Sequence, residues 1–386
     1  MRSVVVAKFV PWPPNSGDKR RTLGIVRALR ARGPVILCAF EGDDEDAAPL
    51  RQEGIDVRSV RLRRRPVDLV AGLLRGRSLT AARFWEPRLA QVVAGVTRAD
   101  TDVLVVEHVQ LLPYARGVRA ALRVLDMHNV ESSLARRIGE SSSGPRAWAW
   151  RAEARALRAL ERHGAGAVDV VAVVSELDRA TLGAIVDHPR VVVVPNAWDE
   201  PAPLPPAEGP VASFVALLSW GPNVDAAVWF CREVWPRVTA ELPTARLQLV
   251  GRNPTAEVRA LAGPTVEVTG TVPDLEPWYA RTRVSLAPLL AGGGSRLKIL
   301  ESLAAGRPVV ATTIGAEGLE DLVGRGVVIA DEPQDMAAAL LGLLTDPGRS
   351  AELGHAGAVA VGTDHSWSAA VRPLLEELRA DPARGT

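Results

Sequence analysis

The sequence predicts an α/β protein made of two doubly wound domains, each a parallel sheet covered by helices. Three observations predict it. Short runs dominated by Val, Leu and Ala alternate with segments of helical spacing, and strands apolar at nearly every position belong to sheets buried on both faces. The alternation occurs twice, on either side of a proline-rich acidic stretch. A chain of 386 residues with 47% hydrophobic content is also long enough for two ordinary cores.

Taken in order, residues 3–10 (SVVVAKFV) read as a strand, PWPPNSGDKRR at 11–21 as a loop, and the following segment as a helix with Leu23, Val26 and Leu29 on one face. PVILCAF is a strand, GDDEDAA an acidic loop, and Asp56 to Leu62 another strand. Helical patterns occupy LVAGLLRG and the 80s to 90s. DVLVVEH ends a strand at His108, RVLDMHN ends one at His128, residues 146–163 form an Arg/Ala-rich helix, and VDVVAVVSE and RVVVVPN close the first half. AWDEPAPLPPAEGP then reads as an extended linker. The predicted division is a first domain at 1–197, a linker at 198–210, a second domain at 211–365 and a C-terminal segment at 366–386.

In the second half the strands are VASFVALL, ARLQLVG, TVEVTG, RVSLAPL, PVVAT and GVVIA, with a helix from Ala226 to Val238. The closing SWSAAVRPLLEELR places Val371, Leu374, Leu375 and Leu378 at helical spacing. No short repeat or low-complexity array is present.

Composition excludes several classes. No uncharged apolar run approaches the length of a membrane span, and the start MRSVVVAKFVPW lacks a signal-peptide apolar region. The expectation is a cytoplasmic protein. Cys38 and Cys231 have neither metal-ligand spacing nor the density of a disulfide scaffold, and read as buried thiols. No His/Cys group has zinc spacing, so no zinc site is expected.

The net charge of +1 is uneven, because residues 58–90 hold nine arginines against Asp68 and Glu86. That region suits peripheral contact with an anionic acceptor or the inner face of a membrane, with Leu69, Val70, Leu73 and Leu74 as an apolar face. The bland reading, a solvated surface in a chain that uses Arg almost everywhere, stands beside it, and no nucleic-acid partner is expected. Only Lys8, Lys19 and Lys298 are lysines among 46 basic residues, and the last two fall in glycine-bearing segments.

Ligands of open parallel sheets bind beyond the carboxyl ends of strands. The stretch AGGGSRLKILESLAAGRPVVATTIGAEGL at 291–319 is the richest such site: a glycine loop, a helix and a strand. The glycines permit close backbone approach, and exposed amides at the helix start favour an anion. Arg296 and Lys298 add formal positive charge where the helix dipole alone would favour an acid. The combination fits a polyanion.

At these residues the chain resembles family 4 glycosyltransferases of the GT-B fold. The resemblance rests on VVVVPNAWDE, AVVSELDRA, SWGPNVDAAVWF, VTGTVPDLEPWYARTRVSLAPL and GGGSRLKILESLAAGRPVVATTIGAEGL, in that order. The branch with a PPNSGDKRR-type loop and a DMHNVES segment is the most similar. It implies two Rossmann-like domains facing across a cleft, a C-terminal helix crossing back to the N-terminal domain, and a nucleotide-sugar donor bound mainly by the second domain. The donor is a substrate, not a cofactor. It further implies retaining, metal-independent transfer to an acceptor hydroxyl on a glycan, lipid-linked or small-molecule acceptor.

Carried over by position, Glu301 matches the glutamate that accepts hydrogen bonds from the ribose. The position of the family's first glutamate, eight residues earlier, is Gly293, which leaves the backbone amides of Gly293, Gly294 and Ser295 to meet the sugar or diphosphate. Arg296 and Lys298 stand near the diphosphate-binding basic positions. The usual basic pair after the domain's first strand is replaced by a segment containing Gly221 and Asn223, and Arg252 is a third basic candidate. His128 matches the histidine that reaches the transferred sugar, with His108 as the alternative. Gly17, Asp18, Lys19 and Arg20 match the loop that closes over the donor phosphates and faces the acceptor.

Other readings are weighed beside this one. Asp44-Glu45-Asp46 imitates a metal-binding pattern of a different glycosyltransferase fold, but in a two-domain parallel architecture it reads as a solvated loop. A NAD-dependent oxidoreductase needs G-x-G-x-x-G after an early strand, which PWPPNSGDKRR does not supply. A non-catalytic module binding sugar nucleotides or polysaccharides is the remaining alternative.

Overall fold

The computed structural model describes residues 1–63, 78–97, 100–199, 203–291 and 296–379. Two compact units emerge, one formed by Met1–Asn196 with the chain from Ala370, the other mainly by Ala197–Gly292 and Arg296–Ala369.

The first unit holds β1 (Ser3–Ala7), β2 (Val35–Glu41), β3 (Asp56–Arg61), β4 (Val103–Glu107), β5 (Leu122–Asp126), β6 (Val170–Val173) and β7 (Val191–Val193). Their order is β3-β2-β1-β4-β5-β6-β7, with every pairing parallel. The second holds β8 (Val211–Val215), β9 (Arg246–Val250), β10 (Val266–Gly270), β11 (Val284–Ala287), β12 (Val309–Ala311) and β13 (Val327–Ile329), ordered β10-β9-β8-β11-β12-β13 and again parallel. Each sheet therefore reverses its winding once, between β1 and β4 and between β8 and β11. Such switch points open a crevice at the strands' carboxyl ends.

Alternation along each strand sorts side chains onto two faces. Leu286 and Val310 join one buried cluster with Phe214 and Leu249, while their neighbours Ala287, Val309 and Ala311 join another with Ile299 and Leu303. Both faces are covered, which is why the strands read as continuous apolar runs.

Several boundaries differ from the sequence expectation. The first strand stops at Ala7, and Gly17 to Arg20 form the first turn of the Gly17–Arg30 helix instead of lying in the preceding loop. The helix expected from Ala226 to Val238 starts at Gly221, passes through a widened turn at Phe230–Val234 and resumes as Trp235–Glu241. Pro236 lacks the N–H that would continue the regular ladder across that turn.

The linker is anchored where it is described. Buried Arg307 donates to the Pro205 carbonyl at 2.6 Å, and buried Arg283 to the carbonyls of Ala207 at 3.2 Å and Glu208 at 2.6 Å. The Arg372–Glu377 helix packs on β7 of the first unit, where Glu377 accepts from Arg190 Nε at 2.8 Å. Cys38 is buried and Cys231 partly so, with burial raising each thiol to about 12. Leu69, Val70, Leu73 and Leu74 lie outside the described residues, as does much of the Arg-rich segment around them.

Candidate functional site

In the second unit the residues after β8 and those opening the Leu297–Ala304 helix meet at the switch point. Lys298 sits in the first turn of that helix and donates from Nζ to Asn223 Oδ1 at 2.8 Å. Asn223 is buried in the first turn of the Gly221–Trp229 helix, and its Nδ2 is fixed by the Leu217 carbonyl at 2.9 Å. The Lys298 ammonium also lies 4.9 Å from the centre of the Phe214 ring, within cation–π range. Burial, and then the nearby Arg296 charge, lower this lysine to about 7. An ammonium so poorly solvated gains more from a phosphate than an exposed one does.

Glu301 follows Lys298 by three residues on the same helix face and is partly buried. Gly221 is exposed at the start of its helix. Arg252 lies just after β9, where its carbonyl accepts from the Leu218 amide at 3.0 Å and joins the two loops. Arg296 behaves differently from its sequence neighbour. Its buried guanidinium donates to the Ile314 carbonyl at 3.1 Å and 2.7 Å and contacts Glu317 at 3.4 Å, so it fastens the loop after β12 to the start of the helix. Gly293, Gly294 and Ser295 lie outside the described residues.

Two other glycines hold this end of the sheet together. A Cβ on Gly251 would stand 1.7 Å from the Ala216 carbonyl oxygen, and one on Gly315 would stand 1.9 Å from that of Ala287. Only hydrogen fits where each loop crosses the neighbouring strand end.

In the first unit the ends of β4 and β5 bring together a buried charged group. Arg21, 1% exposed, donates from Nε to Asp126 Oδ2 at 2.9 Å, from Nη2 to Asp126 Oδ1 at 2.5 Å, and from Nη1 to the Val194 carbonyl at 2.7 Å and Asn196 Oδ1 at 3.0 Å. Thr22 donates to Glu107. His108, at φ 68°, lays its ring on that of His128, with centroids 3.7 Å apart. His128 Nε2 is 3.3 Å from Asp126 and 3.8 Å from Glu107.

Burial opposes ionisation of Asp126, but the Arg21 guanidinium outweighs it and, with His128, holds the carboxyl at about 2. Burial, then the Asp126 charge, push Glu107 well above the usual carboxylate range. Burial lowers His128, and burial followed by the neighbouring His128 lowers His108 much further. Both rings are thus kept neutral near pH 7. Among the described residues, Glu107 Oε1 and His108 Nδ1 are buried without hydrogen-bond partners, a cost of about 1–3 kcal/mol each that a polar ligand would relieve.

Glu107, His108 and His128 are also the one group among the described residues with donor atoms, all within 4.8 Å, suited to a cation. The charges of Lys8 and Arg21 act on His108, while at His128 the charge of Asp126 opposes that of Arg21.

The remaining N-terminal residues are close to this group in sequence. Lys19 is buried and pairs with Glu45 at 3.0 Å, and Asp18 accepts from Ser16 and the Lys19 amide. Gly17 is exposed and Arg20 partly buried beside them. Sequence reading missed Arg21, Glu107 and Asp126. A trace was present: DVLVVEH and RVLDMHN each end a continuous apolar run on an acid followed shortly by a histidine.

The two parallel sheets and their order define a class of architecture, that of the GT-B transferases. Residues 16–197 match the family model for a glycosyl transferase 4-like domain, residues 209–346 match that for glycosyl transferases group 1, and the chain belongs to these GT-B glycosyltransferases. Among curated proteins, a phosphatidyl-myo-inositol mannosyltransferase of Mycolicibacterium smegmatis is 32% identical over 29% of this chain and 31% of its own length. An uncharacterized 44.6 kDa protein in the cps region of Klebsiella pneumoniae is 28% identical over 31% of this chain and 33% of its length. The matches thus span about a third of these relatives. Among solved structures, sucrose-phosphate synthase of Thermosynechococcus elongatus shares the fold at TM-score 0.71 and 16% identity over 98% of both chains. HepE of Anabaena, in complex with UDP and glucose, does so at 0.68 and 17% identity over 99% of this chain and all of that one.

Proposed function

We propose that the protein transfers a sugar, with retention of anomeric configuration and without a metal, from a nucleotide diphosphate sugar to an acceptor hydroxyl. The observation that carries this reading is Lys298, a desolvated ammonium held by Asn223 at the second switch point, where a phosphate would find a strong counter-charge. The UDP and UDP-glucose complexes of the structurally similar HepE support a nucleotide-sugar donor.

In the proposed chemistry the diphosphate leaves with growing negative charge, and Lys298 stabilises it in a poorly hydrated site. Arg296 adds charge from behind while fixing the loop. Glu301 accepts the ribose hydroxyls, the amides of Gly293, Gly294 and Ser295 meet the sugar or diphosphate, and Gly221 and Arg252 border the donor. His128 hydrogen-bonds the transferred sugar, and Gly17 to Arg20 serve the acceptor side. The acceptor's proton passes to a leaving phosphate oxygen, in a front-face displacement that needs no carboxylate nucleophile. Peripheral contact through the 58–90 arginines and a cytoplasmic location complete the reading.

The test is turnover of sugar nucleotides by wild type and Lys298→Ala, after a thermal-shift screen of UDP, GDP, TDP and ADP identifies the base. Loss of one charge-stabilising group costs on the order of 100-fold or more. Wild-type turnover in the variant removes the main support, and an inverted product by NMR overturns the mechanism.

A further inference from the structure

The Gly144–Ala165 helix carries a pattern that sugar transfer does not use. Its exposed Trp148, Arg151, Arg155, Arg158 and Arg162 follow one another at spacings of three, four, three and four residues. At about 100° per residue they form one stripe, roughly 21 Å long. Trp148 is 72% exposed, the most exposed large hydrophobic side chain among the described residues.

The helix has only two acids, Glu153 and Glu161, and both are turned inward and occupied. Glu153 accepts from Ser78 and Thr80 side chains and from the Leu79 and Thr80 amides. Glu161 accepts from the Ser132 amide and hydroxyl. On the adjacent Glu131–Ser141 helix, exposed Glu140 is taken by Arg136 at 2.7 Å. Arg158 and Arg162 each give one donor to a carbonyl, of Ala184 and Ile185, and keep their charge. The outward face is therefore uniformly positive and ends in a large exposed indole.

We propose that this stripe docks the first unit on an anionic lipid surface, arginines at the headgroups and Trp148 at the interface. Charge complementarity selects the occupant: straight basic rows suit a plane of phosphates, and an indole suits the boundary between headgroup and acyl chain. None of the stripe's residues belongs to either strand-end site, so its test is independent of catalysis.

The full chain is floated with vesicles of phosphatidylcholine alone or mixed with phosphatidylglycerol. Binding is expected only with the anionic lipid and to weaken with salt. Arg151→Gln with Arg155→Gln should lower partitioning about thirtyfold with an unchanged thermal melt; if that pair impairs folding, Arg155→Gln alone should lower it about fivefold. Brominated lipid should quench fluorescence in wild type more than in Trp148→Phe. Equal binding to both vesicle types, or wild-type partitioning by the folded variant, overturns the proposal. So does indifference to vesicles combined with arginine-dependent binding of a polynucleotide, which would mark a nucleic-acid surface.

Discussion

On the proposed reading, Lys298 makes donor binding a titration. Its ammonium, lowered by burial and by Arg296 to about 7 from 10.5, is mostly charged below pH 7 and mostly neutral above it in the free protein. A bound diphosphate favours the charged form, so affinity that depends on Lys298 is present below about pH 7 and lost as pH rises beyond it. Each further pH unit costs about 1.4 kcal/mol, or roughly tenfold, until the bound-state pKa is reached. The assay is calorimetric affinity for the matching nucleoside diphosphate from pH 6.5 to 9. Lys298→Arg, charged throughout, should flatten the profile. Asn223→Asp places a carboxylate where the 2.8 Å acceptor stands and should move the inflection upward by about 1–3 units; Asn223→Ala should move it downward. A wild-type profile with the same slope in Lys298→Ala refutes the reasoning, because the titrating group would then lie elsewhere.

Other consequences are separable from this one. Glu301→Ala should weaken nucleoside diphosphate binding by calorimetry while leaving the urea unfolding midpoint unchanged. Arg21→Met leaves Asp126 buried without its guanidinium and should cost about 3–5 kcal/mol in urea unfolding, with Arg21→Met/Asp126→Leu recovering part of it. Glu161, raised by burial to about 6 from 4.5, binds its proton more tightly folded than unfolded. Its stabilisation is full below about pH 4.5 and is lost as pH rises through about 6, a change of about 2 kcal/mol that Glu161→Gln should remove from the pH dependence of unfolding. Gly251→Ala forces a methyl group against the Ala216 carbonyl and should lower stability by about 1–3 kcal/mol with a visible fall in melting temperature.

Much of this protein is legible without coordinates because its signals are local. Continuous Val/Leu/Ala runs follow from strands buried on two faces, and the proline-rich stretch marks a change of unit because proline cannot continue either element. The glycine loop, Lys298 and Glu301 stand within one short segment, so their grouping is visible by spacing. His128 is visible for the same reason, at the end of an apolar run.

Tertiary structure alone decided which charges are available. Arg296 and Lys298 look equivalent in sequence, two residues apart, yet one guanidinium is consumed by Ile314 and Glu317 while the other residue's ammonium is presented by Asn223. Arg21 and Asp126, 105 positions apart, become partners only because β1 and β5 flank β4 in the sheet. Glu107, His108 and His128 converge for the same reason. Periodicity reports which face a side chain takes, a property of the near chain. The partner that neutralises, orients or desolvates it is set by strand order, and strand order is a property of the folded sheet.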